Sequence, residues 1–162
     1  RATGDGHIGV IGTAGTIRSG AYERAIRSID PDARITARAC PLFVPLVEEG
    51  WLDHPVTEMV AREYLTPLIE ADISSLVLGC THYPLLKPLL CRLLGNRVQL
   101  IDSAAETAAE IGRVLRENNL EAPEGVEGAH RFVASDDPLQ FLQLGQRFLG
   151  DAIEGVEVHT FV

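Results

Sequence analysis

Apolar positions along this chain fall into two alternating periods. Short, nearly continuous apolar runs recur at residues 7–11, 34–39, 75–78 and 97–101. Runs of that length, bounded by Gly, Pro and polar residues, predict buried strands. Between them the spacing lengthens to a helical period. Tyr22, Ile26 and Ile29 stand at i, i+4 and i+7 and predict a helix over 17–29, closed by Pro31. Residues 42–49 predict a helical turn, and 54–70 a long helix with a bend near Pro67. Helices are also predicted over 84–94 and 104–118. Strand and helix alternating in this way imply βαβ units. The expected fold is α/β, a mostly parallel sheet flanked by helices.

Residues 120–128 break the pattern: Pro123, Gly125 and Gly128 punctuate an acidic stretch that reads as a linker. Beyond it come one strand over 130–134, one helix over 138–149 and a final strand over 156–161. Ser135-Asp136 is the expected cap for that helix, before Pro138. The expected organisation is a complete four-strand α/β domain over 1–119 and an appendage over 120–162. One βαβ piece cannot cover both faces of a sheet. The appendage is therefore expected to return to another domain, mostly outside this sequence. The chain starts at Arg1 and its only methionine is Met59, so it reads as a piece of a longer protein.

Composition narrows the class. The 162 residues suffice for a real core. With 46% hydrophobic and 23% charged residues, the chain has the make-up of a soluble globular protein. No apolar run approaches the roughly 18–20 residues of a membrane span, and no signal peptide is visible. A net charge of −9 argues against nucleic acid and anionic membranes as partners, since both call for basic patches. The three cysteines, Cys40, Cys80 and Cys91, are an odd number and do not read as a disulfide framework. A reducing cytoplasm fits them better.

Candidate chemistry gathers at strand ends. Thr13 with Thr16, Cys40, Cys80 with His82, and Asp102 with Ser103 each follow a predicted strand. In a parallel sheet all four sets share one edge, the edge where ligands sit. Gly12-Thr13-Ala14-Gly15-Thr16 joins a strand to a helix N-terminus, where N–H groups and hydroxyls suit an anion. It is neither a Walker loop nor G-x-G-x-x-G, and Thr16 as a plain N-cap is the alternative. In Leu78-Gly79-Cys80-Thr81-His82-Tyr83-Pro84, Gly79 admits a tight backbone path or a close ligand. A nearby imidazolium favours a charged sulfur, so His82 could make Cys80 a thiolate near neutral pH. Nucleophile, base, metal ligand and buried filler all remain open for Cys80. Cys40, Cys80 and His82 could form a zinc trio, though without Cys-x-x-Cys spacing. Cys91 reads as core and Cys40, before a Pro, as a structural turn residue. Glu48 and Glu49 are either solvated or near the site, where a carboxylate would hold a cationic substrate group or orient His82. His7, His54, His130 and His159 have no evident partners and read as surface or cap residues.

Residues 78–86, Leu-Gly-Cys-Thr-His-Tyr-Pro-Leu-Leu, resemble the second catalytic cysteine motif of glutamate racemases. Residues 39–50, Ala-Cys-Pro-Leu-Phe-Val-Pro-Leu-Val-Glu-Glu-Gly, are similar to that family's middle motif. The threonine turn at 9–16 with Ser19-Gly20-Ala21-Tyr22, the run 101–107 and the run 132–138 complete the pattern in order. Aspartate racemases share the architecture but typically follow this cysteine with Thr-Glu. The resemblance implies interconversion of L-glutamate and D-glutamate, supplying D-glutamate for peptidoglycan, with no cofactor and no metal. It implies two thiol bases on opposite faces of the substrate. It makes Cys80 the base acting on L-glutamate, Thr81 and His82 substrate contacts, Glu48 a supporting carboxylate, and Thr13 and Thr16 holders of the substrate carboxylates. The family's upstream half, with its first catalytic cysteine, has no counterpart here. The expected partner is therefore the missing amino-terminal half of the same enzyme, and a homodimer is left open. Two other readings stand beside this one. Cys80 could be the covalent nucleophile of a Cys/His hydrolase or transferase, which would need an oxyanion hole and an orienting Asp or Asn. The chain could also be a non-catalytic α/β module that binds an anion.

Overall fold

Four strands lie side by side in the computed structural model, which describes residues 6–126 and 128–160. They are β1 (Ile8–Gly12), β2 (Ile35–Ala39), β3 (Ser75–Gly79) and β4 (Gln99–Asp102), in the order β2-β1-β3-β4. Every neighbouring pair is parallel. Gly12 stands opposite both Ala39 and Gly79, and Leu78 stands opposite Asp102. The four strand ends that hold the candidate residues therefore form one edge, as a parallel sheet requires.

Alternation divides the strand residues between two faces. Ile11, Leu76 and Leu78 belong to the main core, together with residues of α3 (Phe43–Glu48), α4 (Pro55–Glu70) and α5 (Lys87–Leu94). Phe43, Leu65, Leu68, Tyr83 and Leu90 are fully buried there. The opposite face meets α1 (Ala14–Ser19) and α2 (Ala21–Ile29), which hold no fully buried residue. A Cβ on Gly79 would sit 2.8 Å from the Ile11 carbonyl oxygen and 2.9 Å from the Tyr22 ring. Only glycine lets the end of β3 lie this close to β1 and α2.

The predicted helix over 17–29 is two helices. Gly20 breaks it with a left-handed φ of 62°. The Ser19 hydroxyl donates to the Thr16 carbonyl at 2.7 Å and accepts from the Ala21 N–H at 3.2 Å, turning the chain there. The apolar face of α2 ends at Ile26, since Ile29 is 82% exposed. His54 caps α4 by accepting the Val56 N–H, and the helix runs through Pro67 to Glu70. A single 3-10 turn, Tyr83–Leu86, precedes α5. His7 is not a partnerless surface residue. Its ring nitrogens lie 2.8 Å from the Ala71 carbonyl and 2.8 Å from the Thr36 hydroxyl, tying the start of β1 to β2 and to the end of α4.

The chain divides into two compact units, residues 1–115 and 116–162, and the boundary falls inside α6 (Ser103–Glu117). The second unit is a small βαβ piece: β5 (Val133–Ala134), α7 (Pro138–Leu149) and β6 (Glu157–Val158), with the strands parallel. The predicted strands shorten to two residues each, and Phe161 of the last lies outside the described residues. Asp137, not Ser135-Asp136, caps α7, accepting the Leu139 and Gln140 N–H groups at 3.0 Å each. Two short strands give this helix little to pack on. Leu139 is 70% exposed and Leu149 51%.

The close approach at Gly79 sets a test. Gly79→Ala should lower the unfolding free energy by about 1–3 kcal/mol, the usual cost of overpacking. Gly15→Ala, whose new Cβ meets nothing nearer than the Thr13 hydroxyl at 3.9 Å, should be neutral or stabilising within α1. Urea denaturation of the two variants gives the comparison.

Candidate active site

Cys80 is the first residue beyond β3, half-buried at the carboxyl edge. The chain turns there, and the Tyr83 N–H donates to the Cys80 carbonyl at 3.2 Å. That turn brings His82 back over the sulfur. His82 Nδ1 lies 3.9 Å from Cys80 Sγ and 3.3 Å from Thr81 Oγ1. On the other side of the ring, Nε2 lies 3.1 Å from Glu48 Oε1, at the end of α3. A carboxylate can only accept, so Nε2 bears a proton. In the neutral ring this leaves Nδ1 as an acceptor, aimed at the Cys80 thiol and the Thr81 hydroxyl. Thiol, imidazole and carboxylate thus form a line along which the imidazole can take a proton from sulfur while Glu48 steadies its charge.

Thr13 is the N-cap of α1, a role the sequence had offered to Thr16. Its Oγ1 accepts the Thr16 N–H at 3.2 Å and lies 3.0 Å from Thr16 Oγ1. The two hydroxyls form a small polar pair just past β1, on the same sheet edge as Cys80. Glu49 is exposed just beyond α3.

The other two cysteines separate cleanly. Cys40 is fully buried, and burial pushes its thiol up to about 12, against a smaller opposing effect of the Arg38 charge. At neutral pH it stays protonated, its S–H directed to the Arg38 carbonyl at 3.7 Å. Cys91 is exposed, contrary to its apolar neighbourhood in sequence. On α5 the buried positions are Leu89, Leu90 and Leu94, and the helical period turns Cys91 outward. Among the described residues no three His, Cys, Asp or Glu side chains converge as a metal site.

Asp102 and Ser103 reach the same edge but serve the backbone. Lys87 Nζ donates to Asp102 Oδ2 at 2.5 Å, and Asp102 Oδ1 accepts the Ala104 and Ala105 N–H groups. The Lys87 hydrogen bond is the main reason the Asp102 carboxyl titrates below its ordinary range. Ser103 donates to the Leu78 carbonyl at 2.7 Å, fastening β3 two residues before Cys80. Reading the sequence alone missed the Lys87–Asp102 pair and the Tyr83 hydroxyl, which donates to the Cys40 carbonyl at 2.9 Å. Neither leaves a periodic signal, since each joins elements far apart in the chain.

Two tests follow from these environments. Iodoacetamide at neutral pH should label Cys91 and Cys80 and spare Cys40 until the chain is unfolded, as read by peptide mass spectrometry. Asp102→Asn keeps a capping side chain but discharges the Lys87 pair. It should cost about 0.2–1 kcal/mol, since Lys87 is 38% exposed. The folded carboxyl titrates low, so the wild-type advantage is full above the unfolded carboxyl's range and is lost as pH falls through the depressed folded value. Urea titrations at neutral and strongly acid pH give the difference.

Residues 1–111 match the Asp/Glu/Hydantoin racemase family. The chain is 50% identical over 154 residues to a glutamate racemase of Geobacter metallireducens, covering 95% of this chain and 57% of that protein. It is 49% identical over 156 residues to one of Neisseria meningitidis, covering 96% and 57%. Among solved structures it superposes on the glutamate racemase of Francisella tularensis in complex with D-glutamate, with a TM-score of 0.88 and 34% identity. That match covers 96% of this chain and 58% of the other. The Thermus thermophilus glutamate racemase in complex with β-chloro-D-alanine gives 0.85 and 43%, over 99% and 59%. The chain thus spans a little over half the length of the relatives it matches, and nearly its whole length matches them. Sequence and backbone agree that it belongs to the Asp/Glu/hydantoin racemase family.

Proposed function

We propose that this chain is the carboxyl-terminal part of a glutamate racemase and holds one of its two bases, Cys80. The observation that supports this most is the Cys80–His82–Glu48 line at the strand edge of a chain about half identical to glutamate racemases. In this reading His82 takes the Cys80 proton, and the thiolate removes the α-proton of L-glutamate. The planar carbanion is then protonated on its opposite face by a second thiol. A single base would return the proton to the face it left, so inversion needs two. Thr81 and His82 meet the substrate, and Thr13 and Thr16 receive its carboxylates. The D-amino acids bound by the Francisella and Thermus relatives have the α-ammonium and α-carboxylate this arrangement calls for.

The second thiol belongs to the partner, the amino-terminal half of the same enzyme. The exposed apolar side chains of α7 suit a segment that docks against more protein than is present here. The product, D-glutamate, would serve peptidoglycan synthesis in the cytoplasm. No helix among the described residues is long and apolar enough to cross a membrane.

A thiol–imidazole–carboxylate line also suits a covalent nucleophile. Solvent deuterium appearing at the α-carbon of glutamate supports the racemase, and a burst of acyl-enzyme supports the hydrolase. Alone, the chain should form negligible D-glutamate, with at most slow α-proton exchange at retained L configuration. Adding the amino-terminal half of a relative should restore turnover, and Cys80→Ala should remove it. D-Glutamate formation by the isolated chain at a rate typical of enzymes would contradict the one-base reading.

A further inference from the structure

Tyr83 follows His82 and is the largest fully buried side chain among the described residues. Its N–H closes the Cys80 turn, and its hydroxyl crosses to the end of β2, to the Cys40 carbonyl. Its ring meets Phe43 edge-on, with centroids 5.3 Å apart and planes at 87°. Phe43 opens α3 and Glu48 closes it. Consecutive residues of the Cys80 turn therefore grip α3 at both ends, Tyr83 at Phe43 and His82 at Glu48. A helix of six residues is only about 9 Å long and moves as one body. Buried phenol stays protonated, since burial raises its ionisation well above the ordinary tyrosine range. The hydroxyl is thus a constant donor at the head of α3.

We propose that Tyr83 is a positioning residue, which sets the Cys80–His82 geometry through α3 and Glu48. A buried tyrosine usually serves packing alone. Here the contacts form a closed circuit: Cys80 turn, Tyr83, Phe43, α3, Glu48, His82 and back to Cys80. Without the hydroxyl, the Cys40 carbonyl keeps only the Phe43 N–H at 3.2 Å, and ring packing alone holds the head of α3 to the turn. Glu48 then shifts at the far end, Nε2 loses its carboxylate, and Nδ1 turns from the sulfur.

The inference rests on Cys80 being the reactive thiol of the proposed function, but its test reads the thiol and needs no turnover. Alkylation by iodoacetamide at neutral pH is followed at Cys80 and Cys40 separately, in the full 162-residue chain. Tyr83→Phe should slow Cys80 by about fivefold, the rate equivalent of one ordinary hydrogen bond. Glu48→Gln should slow it at least as much, and the double variant no further than Glu48→Gln alone. Phe43→Leu, which loosens the same grip while keeping apolar volume, should behave like Tyr83→Phe. Additive effects of Tyr83→Phe and Glu48→Gln would overturn the inference, as would an unchanged or faster Cys80. So would Cys40 becoming reactive in step, which would signal general loosening. An unreactive Cys80 in the parent chain would overturn the functional reading and this inference with it. A reactive Cys80 with additive variants overturns this inference alone.

Discussion

The contact on which the rest depends is between two backbones, where β3 runs beside β1 with Gly79 opposite Gly12. Gly79 lies so close to the Ile11 carbonyl and the Tyr22 ring that no Cβ fits. This close approach, with the parallel register, puts the residue after β3 at the same level as the residue after β1. Thr13 and Cys80 share an edge for that reason. The two positions are far apart in sequence, and only strand pairing makes them neighbours. Ser103 adds a tie from the other side, through the Leu78 carbonyl. The end of β3 is thus held from both flanks before any side chain of the site is considered.

The three cysteines show how much environment outweighs residue type. Cys40 ends one strand and Cys80 another, both at the same edge. The first is fully buried in the core cluster that also holds Phe43 and Tyr83, and burial keeps it protonated. The second faces an imidazole whose other nitrogen is committed to a carboxylate. Glu48 decides the tautomer, and the tautomer decides that Nδ1 faces sulfur as an acceptor. The chemical difference between the two thiols thus comes from burial at Cys40 and, at Cys80, from a residue more than thirty positions away on another element.

Much of the fold was legible because its signals are local. Apolar runs such as Ser75-Leu76-Val77-Leu78 stand out where a strand is buried on both faces, and all four main strands lie where such runs predicted them. The helix over 138–149 fell at its predicted limits. The errors arose where one residue outweighs a period. Gly20 splits the helix predicted over 17–29, and Asp137 takes the cap from the more distant Ser135-Asp136. Cys91 lay within an apolar run yet points outward, because helical phase and not neighbourhood sets burial. In the site, Cys80 and His82 could be paired from spacing alone. Glu48 could be named only as one carboxylate able to orient the histidine, since its distance to Nε2 is a property of packed elements. The roles of Thr81, Thr13 and Thr16 came from the resemblance, and geometry adds only that the threonines stand at the same edge.

The two units differ in how far they complete themselves. The first buries a continuous core on one face of its sheet and builds a three-residue line of acid–base groups at one edge. Among the described residues the second has two short strands for a twelve-residue helix, and no residue of α7 is fully buried. Such a piece gains little from apolar burial relative to its chain entropy unless something more covers it. The proposed chemistry has the same incompleteness. One thiol can remove a proton and put it back, but inversion at carbon needs a donor on the far face. The exposed helix is an observation of packing, and the one-sided base is a stereochemical consequence of the proposed chemistry. In the proposed reading one further stretch of protein would satisfy both, covering the helix and supplying the donor on the far face.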